Sequence, residues 1–577
     1  MRFRHGFLLV LVFAHIWVPY SCAVSPRMSE IQAGPAADVT VRLFSTQQVN
    51  SVALAPTAAN MRLCSNCKEV PIASGFEIKS TPGGLLAGTK PARQIYLSGQ
   101  IRVTSDSGQV ASAAGQWKVS AARDGLHVLL TIPSERYVMA VLAREASAAD
   151  SIESLKALAV TARSFALANL RRHGAEGLCD NTHCQALRFA AVPDRIEQAV
   201  RETSGERLWW RAAPVPGYFT QNSGGLTEDA SNLWGGERKS WLASHSDPYS
   251  QDQPSQWHAE IDGKQLRAAL ESEGWRLQQP LDGIRMLERD PSGRVHRLEL
   301  RAGAQRMAIS AASLRFCIDR SLGWNQLRSD LYEVHFTQGK AVFDGKGYGH
   351  GVGLSQAGAA KMARDGRDYR AILKFYFPGT TVRVTVTDTG WQRFDGNGWT
   401  LRATSSSSAA VLTAGNEALR QARALWPSSN YMSATVTIYP ATELFRQATG
   451  EPGWTLASTR SMQIALQPLL IVQRQSDLQK LLLHEFLHVL VEQESSGSAP
   501  LWLREGLVEA LTGDATPSAT MTASEIEQAL HHPKNLAETA RAHQAAGALV
   551  KKLWAFYGKQ TVRGWLRSGP PGRIAAR

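Results

Sequence analysis

The stretch ERYVMAVLAREA, residues 135–146, is where the chain changes its period, and its reading decides the fold. Before it, from about Asp38 to Leu130, runs such as VTVRLFS, IYLSGQIRVTS and HVLLTI are punctuated by Gly, Pro and Ser and predict short strands. From Pro133 and Ser134 onward, Tyr137, Val138, Val141 and Leu142 recur at helical spacing behind a Ser134 cap. A second helix is predicted from about Ser151 to Arg172. Asp150 and Glu153 are placed there as a capping box, and Ile152, Leu155, Ala159, Ala162, Phe165 and Ala166 share one face. The two helices frame Glu145.

Glu145 lies one helical turn beyond Val141 and two beyond Val138, so it prolongs an apolar face, and it stands at the helix C-terminus. Apolar surroundings and the negative end of the helix dipole both disfavour its charge. A carboxyl kept protonated in this way can act as a general acid near neutral pH. The spacing also fits a purely structural Glu paired with Arg163 or Lys156 on the next helix.

Five blocks extend the pattern in order: ERYVMAVLAREA, SLKALAVTARSFALANL, LCDNTHCQ, YFTQNSGGLTEDASNLWGG and GKGYGHGVGLSQAGAAKMARDGRDYRAILKFYFPGTTV. Together they closely resemble the SpoIID/LytB family, the sporulation stage II protein D and amidase-enhancer proteins, over roughly residues 40 to 385. The resemblance implies a peptidoglycan lytic transglycosylase that cuts between N-acetylmuramic acid and N-acetylglucosamine and leaves a 1,6-anhydro end. Glu145 matches the carboxylate that first protonates the leaving oxygen and then accepts the proton of the muramic C6 hydroxyl. Lys156 and Arg163 match basic positions expected to orient Glu145 or hold the glycan. Ser223, Gly224 and Gly225 look like one cleft wall. Gly347, Gly349, Gly351 and Gly353 form a close-approach loop presenting Tyr348, His350, Ser355 and Gln356. Trp234 is a candidate for stacking on a sugar ring. The chain departs from the common family wording at QNSGG and SFA, neither of which touches Glu145. Some family members are named for enhancing an amidase, which implies a wall-binding role and a cell-wall amidase as partner.

A second motif lies far downstream. In LLLHEFLHVL, 481–490, His484 and His488 are one helical turn apart and can reach a single Zn²⁺, while Glu485 is placed as a base. PLWLREGLVEAL follows, with Pro500 suited to a first helical turn and Glu505 and Glu509 on one face. HExxH followed by WLxEG resembles the gluzincin metallopeptidases over roughly residues 395 to 577. That resemblance implies Glu505 as third ligand and leaves Glu509 to fix a ligand histidine. SMQIAL is expected to be the edge strand that pairs with an extended peptide. His531, His532, His543 and Tyr557 remain open candidates for stabilising the oxyanion.

Length and composition set the frame. At 577 residues the chain exceeds one hydrophobic core, and about three domains are expected. The basic start, the apolar run from Phe7 to Val18 and the small residues Ser21 and Ala23 read as a signal peptide over 1–23. Pro19 and Tyr20 make Cys22 a poor lipoprotein site. No later stretch is apolar for the ~20 residues a membrane span needs. The expectation is a secreted or periplasmic envelope protein of α+β multidomain class. A β-rich part (24–130) leads into a catalytic region (131–385), followed by a linker (386–400) and a mostly helical zincin-like domain with a small sheet (401–577).

The formal charge of +13 falls to about +11 without Arg2 and Arg4, which suits anionic cell-wall polymers rather than nucleic acid in an exported protein. Of the remaining cysteines, Cys64 and Cys67 form one close pair and Cys179 and Cys184 another, with Cys317 left over. Each pair can bridge in an oxidising compartment. Each can also hold zinc, the second especially with His183, although neither spacing is a standard zinc motif.

Overall fold

The structure is a computed structural model that describes residues 37–575 apart from 65, 73, 148, 252–254, 324, 405–407, 429–432, 496–498, 514–520 and 532–534. The expected signal peptide, and His532, lie outside the described residues. Among the described residues no helix is long and apolar enough to cross a membrane. The architecture is mixed α+β.

The first part is one large sheet on which helices pack. Strand Asp38–Leu43 pairs antiparallel with Gly125–Pro133, and the sheet continues through Val110–Ala122, Gln94–Ser105 and Ser51–Arg62 to shorter strands. Along Gln94–Ser105 the buried residues Ile95, Leu97, Ile101 and Val103 fall on one face, as the two-residue period of a strand requires. Gly125–Pro133 then runs directly into helix α1 (Ser134–Glu145), followed by α2 (Ile152–Ala168) and α3 (Asp194–Glu202). Val39, Trp117, Val138, Leu142 and Leu155 share a single core, so the strands before residue 131 and the helices after it fold together.

Local details differ from the sequence reading. Ser134 does not cap α1. It is the first helical residue, buried, and its hydroxyl has no hydrogen-bond partner. The cap of α2 is Ser151, whose hydroxyl accepts from the Glu153 amide at 3.3 Å, while Asp150 accepts from the Ser147 amide. The helix ends at Ala168, short of Arg172, and is buried on nearly every side.

Arg163, expected near the glycan, is therefore carried into the core, where it is 0% exposed. Its guanidinium makes two bonds to Glu135, at 2.8 and 2.6 Å, and a third to the Glu206 carbonyl at 3.1 Å. A buried charge needs such partners, and Arg163 has no route to a substrate.

Residues 256–346 form a separate unit within the region read as one block. Its two three-stranded sheets and the helices Gly263–Ser272 and Ala311–Leu322 enclose a core of their own, including Trp257, Leu298, Leu314 and Phe343. The glycine loops QNSGG and GKGYGHGVG are the chain's way in and out. After this insert come α4 (Gln356–Arg364) and α5 (Tyr369–Tyr376), packed back onto the first core.

The C-terminal part starts earlier than expected. Gln392–Gly396, inside the expected linker, and Trp399–Ala403, which straddles its end, form a hairpin that opens a five-stranded sheet. Ala434–Ile438 and Gln463–Leu466 continue this sheet in parallel, and Ala457–Arg460 closes it antiparallel. SMQIAL is thus an inner strand, and Ala457–Arg460 is the edge. Helices α6 (Leu478–Glu494), α7 (Leu501–Thr512) and α8 (Leu536–Tyr557) complete this core.

The two parts meet at fully buried Glu206, which accepts from the Trp391 amide at 2.8 Å and pairs with Arg370 at 2.7 Å. Arg402 stacks 3.7 Å from the centre of the Trp391 ring and donates to the last carbonyls of α3.

Replacing Glu135 by Ala is expected to lower the stability of the first core by about 3–5 kcal/mol, because it strands a buried guanidinium. Urea unfolding followed by fluorescence measures this. An unchanged midpoint with only weakened glycan binding would return Arg163 to the substrate.

Candidate functional site

Glu145 is the last residue of α1 and is half-buried. Burial raises its pKa, and neighbouring Arg144 offsets part of the rise. The two bases that could have neutralised it are committed elsewhere. Arg163 belongs to Glu135, and Lys156 lies 2.8 Å from both Glu153 and Glu202. Among the described residues the Glu145 carboxyl forms no salt bridge, which removes the structural pairing that its spacing allowed.

Two glycine loops build the wall beside it. Phe219–Thr220 pairs in parallel with Leu354–Ser355, and Asn222 and Tyr348 exchange backbone bonds of 3.0 and 2.8 Å. Gly224 sits at a φ of 73°, and a Cβ there would stand 3.2 Å from the Gly347 amide nitrogen. Only glycine allows this close crossing. Gly225 also lies in the left-handed region, and its amide donates to Ser250.

Several expected contact residues turn out to hold the wall rather than face a ligand. Ser223 is fully buried, with its hydroxyl 2.7 Å from Asp247 and 2.6 Å from Ser250. Ser355 is fully buried as the cap of α4 and accepts from the Ser223 amide. Gln356 comes closest to Glu145, its side-chain amide 3.4 Å from the Glu145 carbonyl. His350 accepts from the Val352 amide, and burial pushes its pKa down to about 3, so the ring is neutral. Trp234 packs edge-on against His350 and beside Tyr218 while staying 39% exposed, which leaves it free to meet a ring.

Sequence reasoning missed Arg294. This residue of the insert is buried and donates to the Ser223 carbonyl at 2.7 Å and the Leu226 carbonyl at 3.0 Å. It clamps a loop some 70 residues upstream, a link that no local pattern signals. Beside the loops opens a cavity of about 460 Å³, lined by Gln221, Asn222, Ser255, Gly347, Tyr348 and Ala357 together with Asn325 and Arg328 of the insert. Ala357 of the cavity wall follows Gln356, whose side-chain amide lies 3.4 Å from the Glu145 carbonyl, so the cavity opens next to the end of α1.

The cysteine pairs part ways. Cys64 and Cys67 form a disulfide. Cys179 and Cys184 are unbridged and buried, their sulfurs 2.8 Å apart. His173 Nε2 lies 3.3 Å from the Cys184 sulfur and His183 Nδ1 3.6 Å from that of Cys179, giving four donors within 4.8 Å of one another. Cys179 is drawn down to about 4, chiefly by the Cys184 thiol and then by the histidines. This marks the cluster as a thiolate-stabilising, candidate metal-binding set. His173 escaped the sequence reading because it precedes the glycine turn that folds it back.

In the C-terminal part, His484 Nε2 lies 2.9 Å from His488 Nε2, which is 3.3 Å from Glu505 Oε2. These three form a candidate metal set with ligand atoms within 4.8 Å. Glu505 Oε2 is buried without a hydrogen bond, as a donor atom awaiting a cation would be. Glu485 is buried, which raises its pKa, and it accepts from the Thr459 hydroxyl of the edge strand at 2.5 Å.

Glu509 holds His543, at 3.2 Å, rather than His484 or His488. His543 also lies 3.4 Å from Glu505, so it is the open histidine that joins the site. His531 pairs with Glu527, and Tyr557 packs on Phe556 and Trp565.

Comparison with known proteins agrees with the first part. Residues 122–210 match the family described as stage II sporulation protein (SpoIID), and residues 242–353, which contain the insert, match a domain of unknown function (DUF8618). The stage II sporulation protein D of Bacillus amyloliquefaciens is 29% identical over 279 residues, covering 45% of this chain and 77% of that protein. The Bacillus subtilis protein of that name is 26% identical over 270 residues, covering 44% and 74%. The amidase enhancer of Bacillus subtilis is 24% identical over 285 residues, 42% of this chain, and the match spans only 39% of that relative. These matches support the SpoIID family for the first part of the chain.

A raised carboxyl pKa means that the folded state holds the Glu145 proton more tightly than the unfolded state. Stability is then lost as pH rises from the ordinary carboxylate range through the raised value. Glu145→Gln is therefore expected to melt about 1–3 °C higher than wild type at neutral pH and alike in acid. A lower melting temperature at neutral pH would contradict the burial of an unpartnered acid.

Proposed function

We propose that the chain is a cell-envelope protein whose first part is a lytic transglycosylase acting on peptidoglycan glycan strands. The observation that carries the reading is Glu145: a half-buried acid at the end of a helix, with no salt bridge among the described residues, touched by Gln356 beside the cavity. Protonated Glu145 donates to the glycosidic oxygen as the bond to C1 breaks. The resulting carboxylate then takes the proton of the muramic C6 hydroxyl as that oxygen closes on C1. One carboxyl serves both steps and no water enters, unlike the paired-carboxyl glycosidase scheme. The exposed face of Trp234 and the amide of Gln356 are placed to hold the sugars. Lys156, tied between Glu153 and Glu202, supports the α2–α3 wall rather than the glycan.

The C-terminal part is proposed as a zinc peptidase. His484, His488 and Glu505 would hold the ion, which when bound supplies Lewis acidity toward a peptide carbonyl. Glu485, set by Thr459, takes the proton from the attacking water. His543, braced by Glu509, faces the developing negative charge, and the edge strand Ala457–Arg460 offers backbone to an extended peptide. The His173, Cys179, His183 and Cys184 set would hold a second, structural zinc that ties the loop after α2 to the sheet.

Mass spectrometry of sacculi digested with wild type, Glu145→Gln and Glu485→Gln separates the two activities. Anhydro-ended products are expected from wild type and Glu485→Gln and to fall by at least about 100-fold in Glu145→Gln. Wild-type activity should decline as pH rises through the raised Glu145 value. Intact wall binding without anhydro ends would leave the first part an amidase-recruiting module. Purified protein is expected to carry about two zinc equivalents, one lost in His484→Ala and the other in Cys179→Ser. Retention of both in either variant would reject the corresponding site.

A further inference from the structure

The insert is more than a spacer between the glycine loops. Among the described residues lining the 460 Å³ cavity, Arg328 is the only charged one, and none is acidic. Every other lining side chain with polar atoms offers an amide, a hydroxyl or a phenol. Arg328 is exposed, and among the described residues its guanidinium forms no salt bridge. That sets it apart from Lys156 and Arg163, each matched to carboxylates nearby.

The position of Arg328 is nonetheless fixed. Its carbonyl accepts from the Gly349 amide at 2.7 Å, and Ser329 donates to the Lys346 carbonyl at 2.5 Å. Asn325 adopts a left-handed φ of 77°, a conformation that asparagine tolerates better than most residues, and its side-chain oxygen accepts from the Tyr348 hydroxyl. The segment 325–328 is thus pinned at both ends to the loop that borders Glu145. A guanidinium on a pinned backbone, without a salt bridge among the described residues and close in sequence to the Asn325 amide, is matched to a planar anion held by two parallel bonds.

We propose that Asn325 and Arg328 of the inserted domain form a carboxylate-recognition subsite of the glycan cleft, across the cavity from Ala357, the neighbour of the Gln356 that touches Glu145. This rests on the glycan-cleaving reading and adds the specificity element. The carboxylate belongs to the substrate strand and has two sources: the lactyl group of a muramic acid freed of peptide, or the peptide stem itself.

Binding is measured with the full chain carrying Glu145→Gln, so that strands are not consumed. The probes are peptide-free glycan strands, the same strands with lactyl carboxylates converted to amides, and peptide-bearing strands before and after the same conversion. Loss of the recognised carboxylate is expected to weaken binding about ten-fold, the scale of one charge-assisted pair. Arg328→Gln should bind acid and amide strands alike, and Arg328→Lys should keep part of the preference. Preference confined to peptide-free strands identifies the lactyl source, and preference confined to peptide-bearing strands identifies the stem.

The assignment is overturned if strands and amides bind equally, or if Arg328→Gln keeps the preference. Cleavage to anhydro ends by the Glu145 protein without acid preference overturns this subsite alone. Acid preference without any cleavage overturns the catalytic reading alone, and absence of binding to every strand overturns both.

Discussion

The buried pair of Arg163 and Glu135 is the constraint on which the rest of the first part depends. Glu135 stands in the first turn of α1 and Arg163 in the fourth turn of α2, so the pair fixes how the two helices lie against each other. With α1 anchored at its start, its far end delivers Glu145 to the cleft at a set height and direction. The same carboxylate accepts from the Gly205 amide, and Arg163 reaches the Glu206 carbonyl. The Glu206 side chain in turn receives the Trp391 amide of the C-terminal part. One desolvated guanidinium thus sits at the head of a chain of contacts from α1 to the second domain. The cost of burying it is offset because its guanidinium is bonded to the Glu135 carboxylate and the Glu206 carbonyl.

The glycine loops depend on a different kind of support. Their backbones bridge at Asn222 and Tyr348 and approach most tightly at Gly224 and Gly347, and Arg294 and Arg328 reach them from the insert. The insert has its own core, so it can vary without disturbing the sheet beneath, while its loops shape the rim of the cleft.

Much of this was legible in the sequence where the cause is local. The change from two-residue to helical spacing at Pro133 placed α1, and the apolar neighbours of Glu145 at one and two turns foretold its raised pKa. Glycine spacing marked both loops, and HExxH with WLREG marked three donors that do converge. What stayed hidden depends on partners distant in sequence. Arg163 reads as a surface base until Glu135, 28 residues away, is seen to bury it. His173 joins Cys179 and Cys184 only because Gly174 and Gly177 turn the chain back. The linker became strands because Trp399–Ala403 finds a parallel neighbour in Ala434–Ile438. SMQIAL lost the edge because the four residues before it, once turned, pair outside it.

The central claim is that one carboxyl cuts the glycan without admitting water. Digestion in water enriched in oxygen-18 tests it most directly. The account predicts that the new muramic ends form without the label, because the oxygen that closes on C1 is the sugar's own C6 oxygen. Label at C1 of the released ends would show hydrolysis instead, and would contradict a lone Glu145 acting first as acid and then as base.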